Sequence, residues 1–254
     1  MAGIGPEGPI ELPIGKLFPA VLLGAPETGK SFALRWLAAQ AALIGCDVTI
    51  WNPKGWLDFE VGGDVAAAEK PSRVRALTHT QADGITASTR SLAATLARRE
   101  EGETGRPHVL FVDEWNNTVR MGRTVRRVVS RLLWAGQDHG MYVALAGFHV
   151  RPQEFDPWIE DLTDADRRQG RAPRQVPSLI AIWWLFTLGS YAEDAAAVVR
   201  LDARTLTAAR IGLSRGMAHF VRAPRPDHGT VEPVRLQIPE TRAADIDSAM
   251  ASGA

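Results

Sequence analysis

A short segment near the start of the chain, Gly24–Ser31, has the residue types and spacing of a phosphate-binding loop. Its sequence, Gly24-Ala25-Pro26-Glu27-Thr28-Gly29-Lys30-Ser31, fits the pattern G-x-x-x-x-G-K-S/T. Glycines let such a loop curl until backbone N–H groups point at phosphate oxygens, and the following helix adds its positive end. We expect a surface-facing Lys30 to reach the β- and γ-phosphates of ATP, and the Ser31 hydroxyl to ligate Mg²⁺. The predicted ATP-binding segment runs on to Phe32. The alternative is a glycine-rich turn that binds nothing.

Two carboxylates follow an apolar run further along the chain. Val109–Val112 is a continuous apolar run, which is typical of a strand buried on both faces of a parallel sheet. Asp113, at the carboxyl end of that strand, is predicted to hold hydrated Mg²⁺, and Glu114 to polarise the attacking water. Lys30 and Glu114 are therefore the predicted catalytic residues. The alternative is that Asp113 caps the next helix and Glu114 is solvated. P-loop motors with a glutamate at this point carry an extra strand between the two motif strands.

The elements that must position these residues alternate between strand and helix patterns. Strands are predicted at Ala20–Leu23, Asp47–Trp51, Arg75–Thr78, Val109–Val112, Tyr142–Ala146, Leu179–Phe186 and Met217–Val221. Helices are predicted at Ser31–Ile44, Asp64–Ala76, Ala87–Arg99, Thr118–Leu133 and Ala192–Val199. This order predicts an α/β fold with a mainly parallel central sheet flanked by helices. Together with the two nucleotide motifs it resembles a RecA-like P-loop NTPase. We expect one P-loop ATPase domain over residues 1–254, with a core at about 18–222. The lead 1–17 and the tail 239–254 are expected to be peripheral.

Bulk properties indicate a globular cytoplasmic protein. The formal net charge is zero, so contact with nucleic acid would need local basic patches. The single cysteine, Cys46, excludes an internal disulfide and is predicted to be a buried, inert thiol. The longest apolar stretch, Leu179–Leu188, is shorter than the roughly 20 residues that span a bilayer, so no direct membrane insertion is expected. Trp183 and Trp184, adjacent in that stretch, are predicted to be buried on opposite faces of a strand.

Three further segments resemble those of the FtsK/HerA-type motors. Trp51–Gly55 contains Asn-Pro-Lys-Gly, which is similar to the Asp-Pro-Lys-Gly that ends the second strand of those motors. Gly140–Ala146 resembles their Gly-Ile-His-Leu-Ile-Leu-Ala strand, and Leu213–His219 resembles their Leu-Gly-Arg-Gly-Asp-Met-Leu segment. The order and approximate spacing agree from about Phe18 to Val221. This collinearity, more than any one match, carries the resemblance.

The resemblance implies an ATP-hydrolysing homo-oligomer, usually a hexameric ring, that translocates double-stranded DNA. The same motor class also acts in packaging, conjugation and secretion. The family's Thr-Gln-Arg-Pro, whose glutamine senses the γ-phosphate, is replaced here by Gly147–Pro152, in which His149 is the candidate sensor. A common family arginine aligns with Gln137. These departures keep open a third hypothesis, an ATP-binding switch with little turnover.

Two arginine clusters are candidates for further roles. The first is spaced by three or four residues along the helix predicted after Glu114, and it comprises Arg120, Arg123, Arg127 and Arg131. It could line a subunit interface, supply an arginine finger to a neighbour's γ-phosphate, with Arg123, Arg127 and Arg131 preferred, or be solvated. The second lies in a charged loop predicted at Asp164–Arg174 and comprises Arg167, Arg168, Arg171 and Arg174. These could contact DNA phosphates without reading sequence, or form a plain surface loop.

Overall fold

A computed structural model describes most of the chain. The described residues are 3–54, 76–149, 151, 154, 182–186, 188–191, 213, 217–222 and 234–238. Several sequence predictions lie outside these residues: most of the helix at Asp64–Ala76, the helix at Ala192–Val199, the loop at Asp164–Arg174 with its four arginines, and the tail 239–254. Within the described ranges, no helix is both long enough and apolar enough to cross a bilayer.

The described strands form a single mixed sheet. In chain order they are β1 (Gly3–Gly5), β2 (Gly8–Ile10), β3 (Ala20–Leu23), β4 (Asp47–Trp51), β5 (Ala76–His79), β6 (His108–Val112), β7 (Met141–Gly147), β8 (Ile182–Leu185), β9 (Met217–Arg222) and β10 (Val234–Gln237). Across the sheet their order is β2-β1-β10-β9-β8-β3-β7-β6-β4-β5. The run from β8 to β5 is parallel, and β9, β10, β1 and β2 pair antiparallel at one edge. The predicted mainly parallel α/β fold is confirmed.

The order of the parallel strands places β7 between β3 and β6. This is the extra strand that a glutamate directly after Asp113 predicted, and its position is confirmed. Sequence patterning missed β1, β2 and β10, which are short and lie at one edge of the sheet. Through β1 and β2 the N-terminal lead joins the sheet, and Leu17 and Phe18 enter the core.

The sheet is covered on both faces. The main helices are α1 (Ile14–Leu17), α2 (Lys30–Leu43), α3 (Ala82–Glu100), α4 (Trp115–Thr118) and α5 (Arg123–Ala135). α2 packs against one face of the sheet, while α3 and α5 pack against the other. Alternate residues of β6 belong to the two cores, so this strand is buried on both faces as predicted. Trp184 and Trp183 are likewise buried in opposite cores.

Cys46 is confirmed as a buried thiol. It lies directly before β4 in the same core as α2. Burial, with a smaller contribution from the Asp47 carboxylate, raises the pKa of its thiol to about 11. Because the thiolate is the reactive form, the side chain stays protonated and acts as a small apolar residue.

The helix predicted at Thr118–Leu133 is wrong in its bounds. Helix α4 begins at Trp115, continues as a 3₁₀ turn over Val119–Met121, and stops at Gly122. Gly122 has φ 140° and ψ 170°, a conformation that residues with a Cβ rarely adopt, so α5 begins afresh after it. Arg120 therefore lies on the 3₁₀ turn and does not share a helix face with Arg123.

A buried hydrogen bond attaches α3 to the sheet. The indole N–H of Trp51, at the end of β4, donates to the Ser88 hydroxyl at 3.0 Å, and both side chains are buried. We expect Ser88→Ala to leave this buried N–H without its acceptor and to destabilise the fold by about 1–3 kcal/mol. The melting temperature, measured by circular dichroism, should fall by several degrees.

Ser91→Ala is the matched control for this change. Ser91 lies one turn further along α3 and is exposed, so the same substitution there removes no buried partner. Alanine is the better helix former, so stability should be unchanged or slightly higher. Equal losses for the two variants would contradict the role given to the Trp51–Ser88 hydrogen bond.

Candidate active site

The phosphate-binding loop connects β3 to α2. It turns through Gly29, whose φ of 107° favours glycine, and the helix begins at Lys30. One carbonyl closes the loop, because the Ala25 oxygen accepts hydrogen bonds from the Thr28 hydroxyl at 2.9 Å and from the Lys30 ammonium at 2.7 Å. As in any helix, the N–H groups of the first turn of α2 have no intrahelical acceptor. The loop thus presents backbone donors and a helix N-terminus, the features that bind phosphate.

Lys30 is buried, and the expectation of a surface-facing side chain is wrong. Only 7% of the residue is exposed, because the side chain folds back over the loop to Ala25. Burial lowers the pKa of its ammonium to about 8, against the opposing effect of the Asp113 and Glu114 carboxylates, while the nearby Lys54 adds to the lowering. Burial of Lys30 therefore favours the neutral form of its amine.

Asp113 lies directly after β6 and faces the start of α2. Its carboxylate is buried, accepts a hydrogen bond from the Ser31 hydroxyl, and accepts another from the backbone N–H of Glu114 at 3.0 Å. Burial raises the pKa of Asp113, the Ser31 hydrogen bond opposes the rise, and the Glu114 charge adds to it. A carboxylate and a hydroxyl in contact at the head of a phosphate-binding loop form a hard oxygen donor set that suits Mg²⁺.

Glu114 adopts the left-handed conformation, with φ 53° and ψ 51°. This conformation costs on the order of 1–3 kcal/mol for a residue with a Cβ, and such strain is concentrated at functional sites. Its Oε1 forms an ion pair with the Lys54 ammonium at 2.8 Å, and its Oε2 lies 3.4 Å from the Asn117 amide nitrogen. The alternative of a capping Asp113 and a solvated Glu114 is not what the structure has. Glu114 itself occupies the N-cap of α4 without a side-chain cap bond, and its side chain is 16% exposed.

Aromatic side chains follow the end of β7. The Phe148 ring lies 5.8 Å from the Lys30 ammonium and 5.9 Å from the Lys54 ammonium, and it stacks on Tyr191 with centroids 5.7 Å apart. His149 points elsewhere: its Nδ1 lies 2.9 Å from the Asn116 amide nitrogen and 3.4 Å from the Glu154 carboxylate. Phe148 is therefore the ring that faces the two lysines, and a sensor role for His149 stays a prediction.

Asn116 joins the segment after β6 to the segment after β7. Its amide nitrogen donates to the His149 carbonyl at 2.9 Å, and its oxygen accepts the Phe148 N–H at 2.8 Å. The approach is so close that a Cβ on Gly147 would lie 2.5 Å from the Asn116 oxygen. No sequence pattern marks Asn116 or Phe148 as part of the site, so neither was predicted to belong to it. Lys54 was named only as part of the Asn-Pro-Lys-Gly resemblance.

The three preferred arginine-finger candidates lie on one helix. Arg123, Arg127 and Arg131 are exposed on α5, and Arg131 forms an ion pair with Glu100 on α3. Gln137, at the position of the common family arginine, donates to the Gly15 carbonyl at 2.8 Å. The glutamine therefore fastens the N-terminal lead to the segment after α5.

The strand order and the geometry of this site define a P-loop NTPase fold with an extra strand. That strand, β7, lies between β3, which leads into the phosphate-binding loop, and β6, which precedes the two carboxylates. No family model matches the chain, and no curated protein matches it. Solved structures, in contrast, do match the chain. The conjugation coupling protein TcpA of pCW3, a monomer form with ATPγS, has a TM-score of 0.64 and 15% identity over 98% of this chain and 69% of that chain.

Two further structures extend the likeness. The cytoplasmic domain of the type VII secretion ATPase EccC from Thermomonospora curvata has a TM-score of 0.62 and 15% identity, covering 100% of this chain and 30% of its own. The genome packaging NTPase B204 of Sulfolobus turreted icosahedral virus 2, in complex with AMPPCP, has a TM-score of 0.54 and 13% identity, covering 82% and 93%. This chain thus spans less than a third of the EccC chain. It has the fold of FtsK/HerA-type ATPases.

Asn116 bridges the segments after β6 and β7, whereas Asn117 does not, so the two adjacent asparagines should contribute differently to stability. We expect Asn116→Ala to leave the half-buried Phe148 N–H without its acceptor and to destabilise the fold by about 1–3 kcal/mol in thermal or urea unfolding. Asn117→Ala is the matched control. It removes only a 3.4 Å contact with Glu114 from a half-buried position, so it should change stability by less than about 0.5 kcal/mol. Indistinguishable unfolding midpoints for the two variants would refute the bridge.

Proposed function

We propose that the chain is an ATP-hydrolysing, FtsK/HerA-like motor, an oligomeric translocase of double-stranded DNA. The observation that carries the proposal is Glu114. Its carboxylate lies directly after the buried Asp113, which bonds to Ser31 of the phosphate-binding loop, and β7 separates the two motif strands. A loop that only binds nucleotide needs a lysine and a metal carboxylate, whereas a second carboxylate beside them provides a group to polarise water.

Each residue of the site has a chemical task in this proposal. Segment 24–32 holds the triphosphate through its backbone N–H groups, and Lys30 leaves the Ala25 carbonyl for the β- and γ-phosphates. Ser31 and Asp113 hold Mg²⁺, which when bound neutralises charge that develops on the phosphate oxygens. Glu114 orients the attacking water and accepts its proton. Since the chemistry needs little covalent participation by the protein, positioning and charge supply most of the acceleration.

The DNA partner and the ring follow from the sequence resemblance, supported by the names of the structural neighbours. TcpA is described as a conjugation coupling protein and B204 as a genome packaging NTPase. In the proposed assembly, a homo-oligomer and most simply a hexamer in the cytoplasm, one of Arg123, Arg127 or Arg131 reaches a neighbour's γ-phosphate. The second cluster, Arg167, Arg168, Arg171 and Arg174, contacts DNA phosphates.

Two alternatives use the same site. The likeness to EccC, a secretion ATPase, favours the same motor acting on a protein substrate. The absence of the family's γ-phosphate-sensing glutamine from Gly147–Pro152, and the glutamine at position 137 in place of a common arginine, favour an ATP-binding switch with little turnover. The three hypotheses differ in whether ATP is hydrolysed and in what stimulates hydrolysis.

The deciding measurement is the ATPase rate of the purified protein with and without linear double-stranded DNA. We expect DNA to raise the rate, and the specific activity to increase with protein concentration because a neighbour completes each site.

Glu114→Gln should still bind a fluorescent ATP analogue while turnover falls by about 10²-fold or more, because the water loses its orienting carboxylate. Lys30→Ala, the binding-defective control, should lose nucleotide affinity as well.

Each other outcome selects a different hypothesis. Hydrolysis that depends on Glu114 but ignores DNA favours a protein substrate. Tight ATP binding with no turnover favours the switch. Unchanged turnover in Glu114→Gln would remove the catalytic assignment of Glu114.

The lowered pKa of Lys30 predicts proton uptake on nucleotide binding. In the free protein the ammonium loses its proton as the pH rises through about 8. A bound triphosphate favours the charged form, so binding above that pH must take up a proton, and ATP affinity should fall between about pH 8 and about pH 10. Calorimetry at about pH 9 in buffers of different ionisation enthalpy measures the uptake.

Lys30→Arg is the control, because a guanidinium stays charged throughout this range. We expect the affinity of this variant for ATP to be independent of pH over the same interval. Residue 30 should then take up no proton when ATP binds. A wild-type affinity that is equally insensitive to pH would contradict the buried, partly deprotonated lysine.

A further inference from the structure

An ion pair joins the ends of two neighbouring strands at the site. β4 and β6 are parallel neighbours with Trp51 opposite Val112, and the chain continues from these partners to Lys54 and Glu114. The Lys54 ammonium reaches the Glu114 Oε1 at 2.8 Å, and the two side chains are 30% and 16% exposed. An ion pair that retains this much contact with solvent contributes little to stability, so the fold does not depend on it.

The pair leaves the two carboxylate oxygens of Glu114 in different environments. Oε1 is held by Lys54, whereas Oε2 has the Asn117 amide nitrogen at 3.4 Å, which is too long for a strong hydrogen bond. The backbone of Glu114 is fixed in its left-handed conformation, and its N–H is bound to Asp113. Lys54 therefore restrains the far end of a side chain whose near end is already fixed, and Oε2 is the oxygen left to accept a proton from water.

Lys54 is itself held in place. Its ammonium lies 5.9 Å from the centre of the Phe148 ring, at a distance typical of a cation–π contact, and the Lys30 ammonium lies 5.8 Å from the same ring. The Phe148 ring thus lies close to the lysine of the phosphate-binding loop and to the lysine that contacts Glu114. The two lysines contact different groups, since Lys30 binds the Ala25 carbonyl.

We propose that Lys54 is a positioning residue that orients Glu114 for the attack of water on the γ-phosphate. The proposal rests on the ATPase function proposed above. Lys54 acts through Glu114 and not through the nucleotide, so it affects the chemical step more than binding. Removing the ammonium frees the carboxylate to rotate, and loss of orientation at a reacting group slows the chemical step.

The test compares Lys54→Met with three other proteins: the wild type, Lys54→Arg, and the matched control Lys16→Met. Lys16 is exposed in α1, so its loss should leave the kinetics unchanged. We expect Lys54→Met to lower kcat by about tenfold to a hundredfold with a much smaller change in the KM for ATP. Lys54→Arg, which keeps a cation in reach of Glu114, should recover most of kcat.

A double variant of Lys54→Met and Glu114→Gln shows whether Lys54 acts through Glu114 or independently of it. If Lys54 acts through Glu114, adding Lys54→Met to Glu114→Gln should lower kcat by less than twofold. Melting temperatures and the affinity for a fluorescent ATP analogue, measured on the same proteins, show that each variant is folded and binds nucleotide.

Three results would overturn the inference: a normal kcat in Lys54→Met, a loss confined to KM, or an equal loss of kcat with and without Glu114. Its failure is distinguishable from failure of the ATPase proposal. If the wild type hydrolyses ATP and Glu114→Gln does not, a fully active Lys54→Met refutes only the role of Lys54. If the wild type does not hydrolyse ATP, both proposals fall together.

Discussion

The parallel register of four neighbouring strands is the constraint on which the site depends. Trp51 of β4 lies opposite Val112 of β6, Val112 lies opposite Leu145 of β7, and Leu145 lies opposite Val21 of β3. β4 and β6 therefore end level with each other, β7 and β3 end two residues further on, and the residues that follow these four strands meet at one edge of the sheet. A slip of one residue in any pair would turn alternate side chains to the opposite face and separate the carboxylates from the phosphate-binding loop.

Charge balance is the second property that these strand ends create together. Two ammonium groups, from Lys30 and Lys54, share a small volume with the carboxylates of Asp113 and Glu114. Burial penalises the charged forms of Lys30 and Asp113, so it lowers the pKa of the lysine and raises the pKa of the carboxyl. Each ammonium lies near a carboxylate of opposite charge, which offsets part of the cost of placing charged groups beside the apolar Phe148 ring. With both lysines and both carboxylates ionised, the formal charges of the cluster sum to zero.

The sequence specifies the parts of the site that local chemistry dictates. The position of the loop 24–32 between β3 and α2, and of the carboxylate pair directly after β6, follows from local sequence patterns, so both could be predicted, as could the sheet that carries them. Contacts between distant segments could not. The bonds of Asn116 to the segment after β7 and of Lys54 to Glu114 depend on which strands are neighbours, and no periodicity encodes that. Burial of Lys30 was missed for the same reason, since it depends on packing around the loop and not on the motif.

The Ala25 carbonyl imitates a phosphate oxygen in the contacts that it makes. The Ala25 oxygen accepts both the Lys30 ammonium and the Thr28 hydroxyl, which makes it an internal surrogate for a phosphate oxygen. A loop built to surround an anion would otherwise leave its principal cation buried with no acceptor, and it would be driven to open or collapse. Because the backbone itself supplies this acceptor, the Lys30 ammonium has a partner within the loop. In the proposed ATPase, nucleotide binding exchanges that carbonyl oxygen for a phosphate oxygen, and the loop need not refold.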